Sequence, residues 1–170
     1  TKHYPIKEGA LQRVVGHVKA VDGVSFDILP GETVGLVGES GCGKSTLGKV
    51  VAGLTDATSG SVSYCLNDNL LPISNLDKEN FKNFRRNCQM VFQDSFASLN
   101  PRQLVFDIVA RPLKVYNEST GSDLVEQVVS LLNQVGLGRE HLYRYPHQFS
   151  GGQRQRISIA RALALNPEII

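Results

Sequence analysis

The chain has 170 residues, 41% of them hydrophobic, and a formal net charge of +2. That length supports one domain with a real core, and the composition is that of soluble globular proteins. The charge is too small for a nucleic-acid footprint, no apolar run approaches the ~20 residues of a bilayer span, and no stretch reads as a signal peptide.

Residues 18–29 have strand character, with Val24, Phe26 and Ile28 alternating against polar neighbours. Pro30-Gly31 turns the chain into an apolar run, Thr33 to Val37, which the pattern predicts as a strand. Next come Gly38-Glu39-Ser40-Gly41-Cys42-Gly43-Lys44-Ser45-Thr46 and a segment that reads as a helix, Leu47 to Leu54, with Gly53 at its end. Strand, glycine-rich loop and helix in that order, with the spacing G-x-x-x-x-G-K-S, point to a phosphate-binding P-loop. The glycines let the backbone wrap round a polyphosphate with its N–H groups aimed inward. The helix N-terminus adds unpaired donors and a partial positive charge. Lys44 is expected to reach the β- and γ-phosphates, and Ser45 to place its hydroxyl on Mg²⁺. The alternative is a glycine-rich βα turn that a lysine happens to follow.

Residues 61–66 alternate again through Val62, Tyr64 and Leu66, 77–86 read as a short charged helix, and 88–92 read as a strand. The character then becomes helical over 103–113 and 123–135, with Leu124, Val128, Leu131, Leu132 and Val135 on one face and Gly136 as a stop. Ser150 is the expected N-cap of a last helix from Gly151 to about Leu165, ended by Asn166-Pro167. Cys42, Cys65 and Cys88 show no metal-ligand spacing and suggest free thiols in a reducing compartment. The first residue is Thr1, and Ile169-Ile170 look like the opening of a buried strand, so the chain reads as a fragment.

Two further motifs narrow the P-loop reading. Phe149-Ser150-Gly151-Gly152-Gln153-Arg154-Gln155-Arg156 resembles the signature of ATP-binding-cassette (ABC) ATPases, and Val91-Phe92-Gln93-Asp94 resembles their Q-loop. A Ser N-cap and two glycines opening a helix make a second anion site; read alone, they would be an N-cap with a flexible entry. The resemblance covers essentially the whole chain. Residues 20–26, the P-loop variant with Glu39 and Cys42, and Phe96-Ala97-Ser98-Leu99-Asn100-Pro101-Arg102 look like the dipeptide/oligopeptide importers, and more like their second, F-type, ATPase subunit.

The resemblance implies an α/β P-loop NTPase fold with an antiparallel β subdomain and a helical insert. Residues 1–95 would form the P-loop core and β subdomain, 96–165 the helical subdomain with the signature, and 166–170 the start of a Walker B strand. It implies ATP and Mg²⁺ as cofactors, with Gln93 on the metal and the attacking water. Ser150, Gly151, Gly152 and Gln153 would close on the γ-phosphate held by a second ATPase subunit. Tyr4 falls where the family stacks an aromatic on adenine, although it also reads as a surface or core-edge residue. The expected partners are that second subunit, membrane permease subunits and, indirectly, a peptide-binding protein, without nucleic acid. The place would be the cytoplasmic face of a bacterial inner membrane. His17 and His147 read as surface and loop residues.

Three residues depart from the family pattern: Phe149 for Leu, Ser95 for Pro and Gln148 for Glu. The family's Walker B Asp, catalytic Glu and later His would lie beyond Ile170. The 170 residues alone are therefore expected to be inactive and poorly soluble. Two other readings remain: a soluble ABC ATPase acting on ribosomes or DNA, and a nucleotide-binding module without hydrolysis.

Overall fold

The computed structural model describes residues 1–10, 12–66 and 69–170, without the side chains of Ser95 and Phe96. The chain divides into two compact units, Thr1–Arg85 and Arg86–Ile170.

The first unit opens with an antiparallel hairpin, β1 (Lys2–Glu8) and β2 (Arg13–Val21). Gly9 (φ +73°) and Gln12 (φ +51°) reverse the chain between them, and the Gln12 N–H donates to the Gly9 carbonyl at 3.1 Å. At the far end of β2 the Asp22 carboxylate accepts from Lys19 Nζ and lies beside His3 Nε2, each at 3.1 Å. Helix α1 (Lys44–Val51) packs on this hairpin. It ends as Gly53 predicts: Gly53 is left-handed (φ +63°), its N–H donates to Val50 O at 3.0 Å, and Leu54 N–H donates to Lys49 O at 2.8 Å. These are the two bonds of a Schellman stop. A second hairpin, β3 (Ser63–Leu66) with β4 (Asn69–Pro72), precedes α2 (Lys78–Asn87), whose Phe84 is 2% exposed and meets Tyr64 edge-on.

Three expected strands differ. Residues 24–29 and 33–37 are extended in pattern but carry no strand pairing among the described residues, and Val24, Phe26, Ile28, Val34, Leu36 and Val37 are exposed. Alternation marks a strand-like surface, but a strand is a ladder of bonds to a neighbour and exists only where that neighbour lies alongside. The turn between the two runs does form: Gly31 is left-handed (φ +75°) and Glu32 N–H donates to Leu29 O at 3.2 Å. Of residues 88–92, Cys88 stands opposite Ile169 in a single parallel bridge, closed by Gln89 N–H donating to Ile169 O and Ile169 N–H donating to Asn87 O, each at 2.9 Å. Conversely, β1, the first half of β2, and β4 were not legible, because their exposed, mixed faces lack a clean period.

The second unit is a helical layer around one core. It comprises α3 (Ser95–Ser98), α4 (Val105–Val115), α5 (Gly121–Gln134) and α6 (Gly151–Leu163). Val105, Val109, Leu113, Val128, Leu132 and Ile157 have no exposed surface, and each such side chain contributes roughly 1.5–3 kcal/mol by leaving water. The apolar face expected on α5 is the buried one. Its stop is again a Schellman pair, Gly136 N–H to Asn133 O at 3.0 Å and Leu137 N–H to Leu132 O at 2.9 Å. Helix α6 ends two residues earlier than expected, with Asn166 left-handed at φ +49°.

Candidate functional site

The loop from Gly38 to Thr46 lies in the first unit. Gly43 caps α1 in the left-handed region (φ +99°), and a Cβ there would overlap the Ala20 carbonyl of β2. Only glycine lets the loop lie this close to the hairpin. Gly41 is also left-handed (φ +83°). Between them the Cys42 N–H donates to Glu39 O at 3.3 Å and tightens the turn. The first intrahelical bond of α1 is Leu47 N–H to Gly43 O at 2.9 Å, so the preceding N–H groups have no partner inside the helix. Lys44 Nζ is held inside the loop, donating to Gly38 O at 2.7 Å and Glu39 O at 2.6 Å, with Cys42 Sγ 3.6 Å away. The loop therefore brings together the N-terminus of α1 and the ammonium of Lys44. A helix N-terminus and an ammonium both favour negative charge nearby. Ser45 is exposed in the first turn, and Thr46 is half-buried.

The signature segment lies in the second unit. Ser150 caps α6 reciprocally: its Oγ accepts the Gln153 N–H at 3.3 Å, and its own N–H donates to Gln153 Oε1 at 3.0 Å. This is a capping box. Phe149 is 5% exposed and anchors the entry, and its carbonyl accepts from Arg154 at 2.6 Å. Added Cβ atoms at Gly151 and Gly152 would meet nothing within 4 Å. Packing within the chain therefore does not call for glycine at these two positions.

The profile of a family described as ABC transporter matches residues 21–170. The chain belongs to the ABC transporter family. It is 54% identical over 170 residues to the oligopeptide transport ATP-binding protein AppF of Bacillus subtilis (strain 168), covering 99% of this chain and 50% of that protein. It is 48% identical over 167 residues to the glutathione import ATP-binding protein GsiA of Escherichia coli (strain K12), covering 98% of this chain and 26% of that protein. The chain thus spans half or less of these curated relatives. Its fold matches the ATP-binding cassette MJ0796, solved as a dimer in a post-hydrolysis state with ADP and Pi. That match has a TM-score of 0.78 at 30% identity over 98% of this chain and 67% of that one. The fold of cbiO1 from Clostridium perfringens also matches, with a TM-score of 0.68 at 24% identity over 98% of this chain and 61% of that one. The P-loop NTPase cassette fold inferred from the motifs is the fold of this ABC chain, and membership implies nucleotide binding.

The other expected site residues are dispersed. Gln93 is exposed in the bend between Cys88 and α3, in the second unit with the signature. Tyr4 is on β1 opposite Val18, 40% exposed, with Lys2 Nζ 5.1 Å from its ring centroid. Among the described residues no group of three or more His, Cys, Asp or Glu side chains is placed to hold a metal ion. Sequence reasoning missed Ala20, whose carbonyl explains Gly43, and nothing in the residue type signals it. It also missed Ser158, although a serine between Ile157 and Ile159 on a buried face is a visible anomaly.

Proposed function

We propose that this chain is the greater part of the ATP-binding domain of a transport ATPase that energises uptake of peptides across a bacterial inner membrane. The observation that carries the reading is the ammonium of Lys44, held at the open N-terminus of α1 inside the glycine loop. The 54% identity to an oligopeptide transport ATP-binding protein supports the cargo class. In this reading the N–H groups of 38–46 and Lys44 hold the β- and γ-phosphates of ATP, and Tyr4 stacks on the adenine. Gln93 orients the attacking water. Catalysis is then positional and electrostatic, with in-line displacement at the γ-phosphorus.

Ser45 Oγ and the amide oxygen of Gln93 are hard oxygen donors of the kind magnesium takes, and such sites need few protein ligands when phosphates supply the rest. Magnesium bound there would neutralise charge on the β- and γ-phosphates. The open space over Gly151 and Gly152 supports a role in trans: Ser150, Gly151, Gly152 and Gln153 would close over the γ-phosphate held by a second ATPase subunit. Residues 1–95 then serve as the nucleotide-binding core and β subdomain, 96–165 as the helical subdomain, and 166–170 as the start of the Walker B strand. Permease subunits in the membrane are the further partners, and a peptide-binding protein acts through them. Among the described residues no helix is long and apolar enough to cross a membrane, and the proposed place is peripheral, on the cytoplasmic face.

The test uses the full-length protein with its membrane partners in vesicles. ATP hydrolysis and uptake of a labelled peptide should both be present, and both should vanish in Lys44→Ala. Hydrolysis that responds to ribosomes or DNA and never to the membrane subunits would overturn the importer reading.

A further inference from the structure

A buried polar contact joins the segment after Gln93 to the helix after Ser150. Ser158, on α6, is 1% exposed, and its neighbours Ile157 and Ala160 are wholly buried. Its hydroxyl lies 3.1 Å from that of Ser98, the last residue of α3. Arg161, one turn further along α6, donates to the Ser98 carbonyl at 2.8 Å. Partial burial lowers the Arg161 guanidinium from its usual value. A buried hydroxyl is costly unless bonded, and a carbonyl bonded by a charged donor is held more tightly than by a neutral one.

The segment so anchored is short and internally closed. The Asp94 carboxylate accepts the Ala97 N–H at 3.1 Å, and the Asp94 carbonyl accepts the Ser98 N–H at 3.2 Å. Leu99, next in the chain, is 2% exposed in the core. Gln93 therefore sits directly before one closed turn fastened to α6. On the other side, Ser150 caps the same helix eight residues before Ser158, about 12 Å along its axis at 1.5 Å per residue.

We propose that Ser158 and Arg161 are positioning residues that lock the Gln93 segment to the signature helix, so that Gln93 and Ser150 move as one piece during the nucleotide cycle. The lock itself stands on the contacts above, and its catalytic consequence rests on the ATPase reading.

Two measurements on the full-length protein separate these. In Ser158→Ala, amide exchange over residues 94–99 should quicken at least tenfold while α5 (Gly121–Gln134) keeps its protection. The same variant should lose at least tenfold in kcat with KM for ATP within twofold, since no P-loop residue is touched. Ser98→Ala, at a half-buried position, repeats the test should Ser158→Ala fold poorly. The double variant should be no slower than the worse single one, because both remove one contact. A merely structural role would loosen the whole helical unit and leave the kcat of the folded fraction intact; that result overturns the proposal, as does unchanged exchange at 94–99. If the wild-type protein does not hydrolyse ATP, the ATPase reading falls, and the exchange result alone decides the lock.

Discussion

Lys44 and Glu39 are joined across the glycine loop: the ammonium donates to the Glu39 carbonyl oxygen at 2.6 Å. A second bond, to the Gly38 carbonyl oxygen at 2.7 Å, fixes the same nitrogen. The cation is thus aimed by the loop's own backbone instead of swinging on a free four-carbon stem, and less side-chain entropy remains to be lost when an anion binds.

Lys44→Ala should weaken ATP binding at least tenfold. A charge-assisted bond is worth about 1.5–3 kcal/mol, and 1.4 kcal/mol is already tenfold. Calorimetric titration of the full-length protein checks this, and unchanged affinity would remove the P-loop assignment.

Gly43→Ala should be the most damaging of the loop's alanine substitutions. Left-handed backbone costs an L-residue about 1–2 kcal/mol, and here the new Cβ also overlaps the Ala20 carbonyl. Gly41→Ala meets open space and carries only the backbone strain. Urea unfolding of the two variants should rank Gly43→Ala as the less stable.

Cys42 is exposed and lies 3.6 Å from Lys44 Nζ, so a bulky adduct on its sulfur would fill the loop. Alkylation at Cys42 should block nucleotide binding, and Mg-ATP should protect it. Cys65, exposed on β3, should label equally with or without nucleotide, and buried Cys88 should label slowly in both. Peptide mass mapping reads all three; equal labelling of Cys42 in both conditions would count against the site.

Ser150→Arg removes a cap worth about 1 kcal/mol and places a cation over the open glycines. ATP should still bind to a single subunit, because the P-loop is untouched, while ATP-dependent pairing should fail. A mutant that still paired with ATP on a sizing column would refute the role in trans.

Asp22 titrates below the ordinary carboxylate range, chiefly through its hydrogen bond from Lys19, with His3 adding to it. A carboxylate depressed on folding stabilises the fold above its unfolded value and loses that contribution as pH falls through the folded one. Asp22→Asn should therefore be slightly less stable than wild type at neutral pH. The difference should fade below about pH 4, near the ordinary aspartate value. A gap that did not narrow at all as pH fell below about 4 in urea titrations would assign the effect to something other than this charge.

Residue type and spacing alone determined what local chemistry demands. Gly53 and Gly136 stop their helices, Ser150 opens α6, Pro30-Gly31 turns the chain, and Gly38 to Thr46 make a glycine-rich loop that leads into α1, because each depends on a few neighbouring residues and their backbone preferences. The buried face of α5 was legible for the same reason: Leu124, Val128, Leu131 and Leu132 recur at the helical period within one segment. Tertiary structure alone decided the rest. Residues 24–29 and 33–37 read like strands but carry no strand pairing among the described residues, while Cys88 finds Ile169 in parallel, since pairing is a property of two segments. Ala20 dictates Gly43, and Ser98 meets Ser158 across sixty residues of chain. Contacts between distant segments leave no period in the sequence, and only the packed fold brings their atoms within reach.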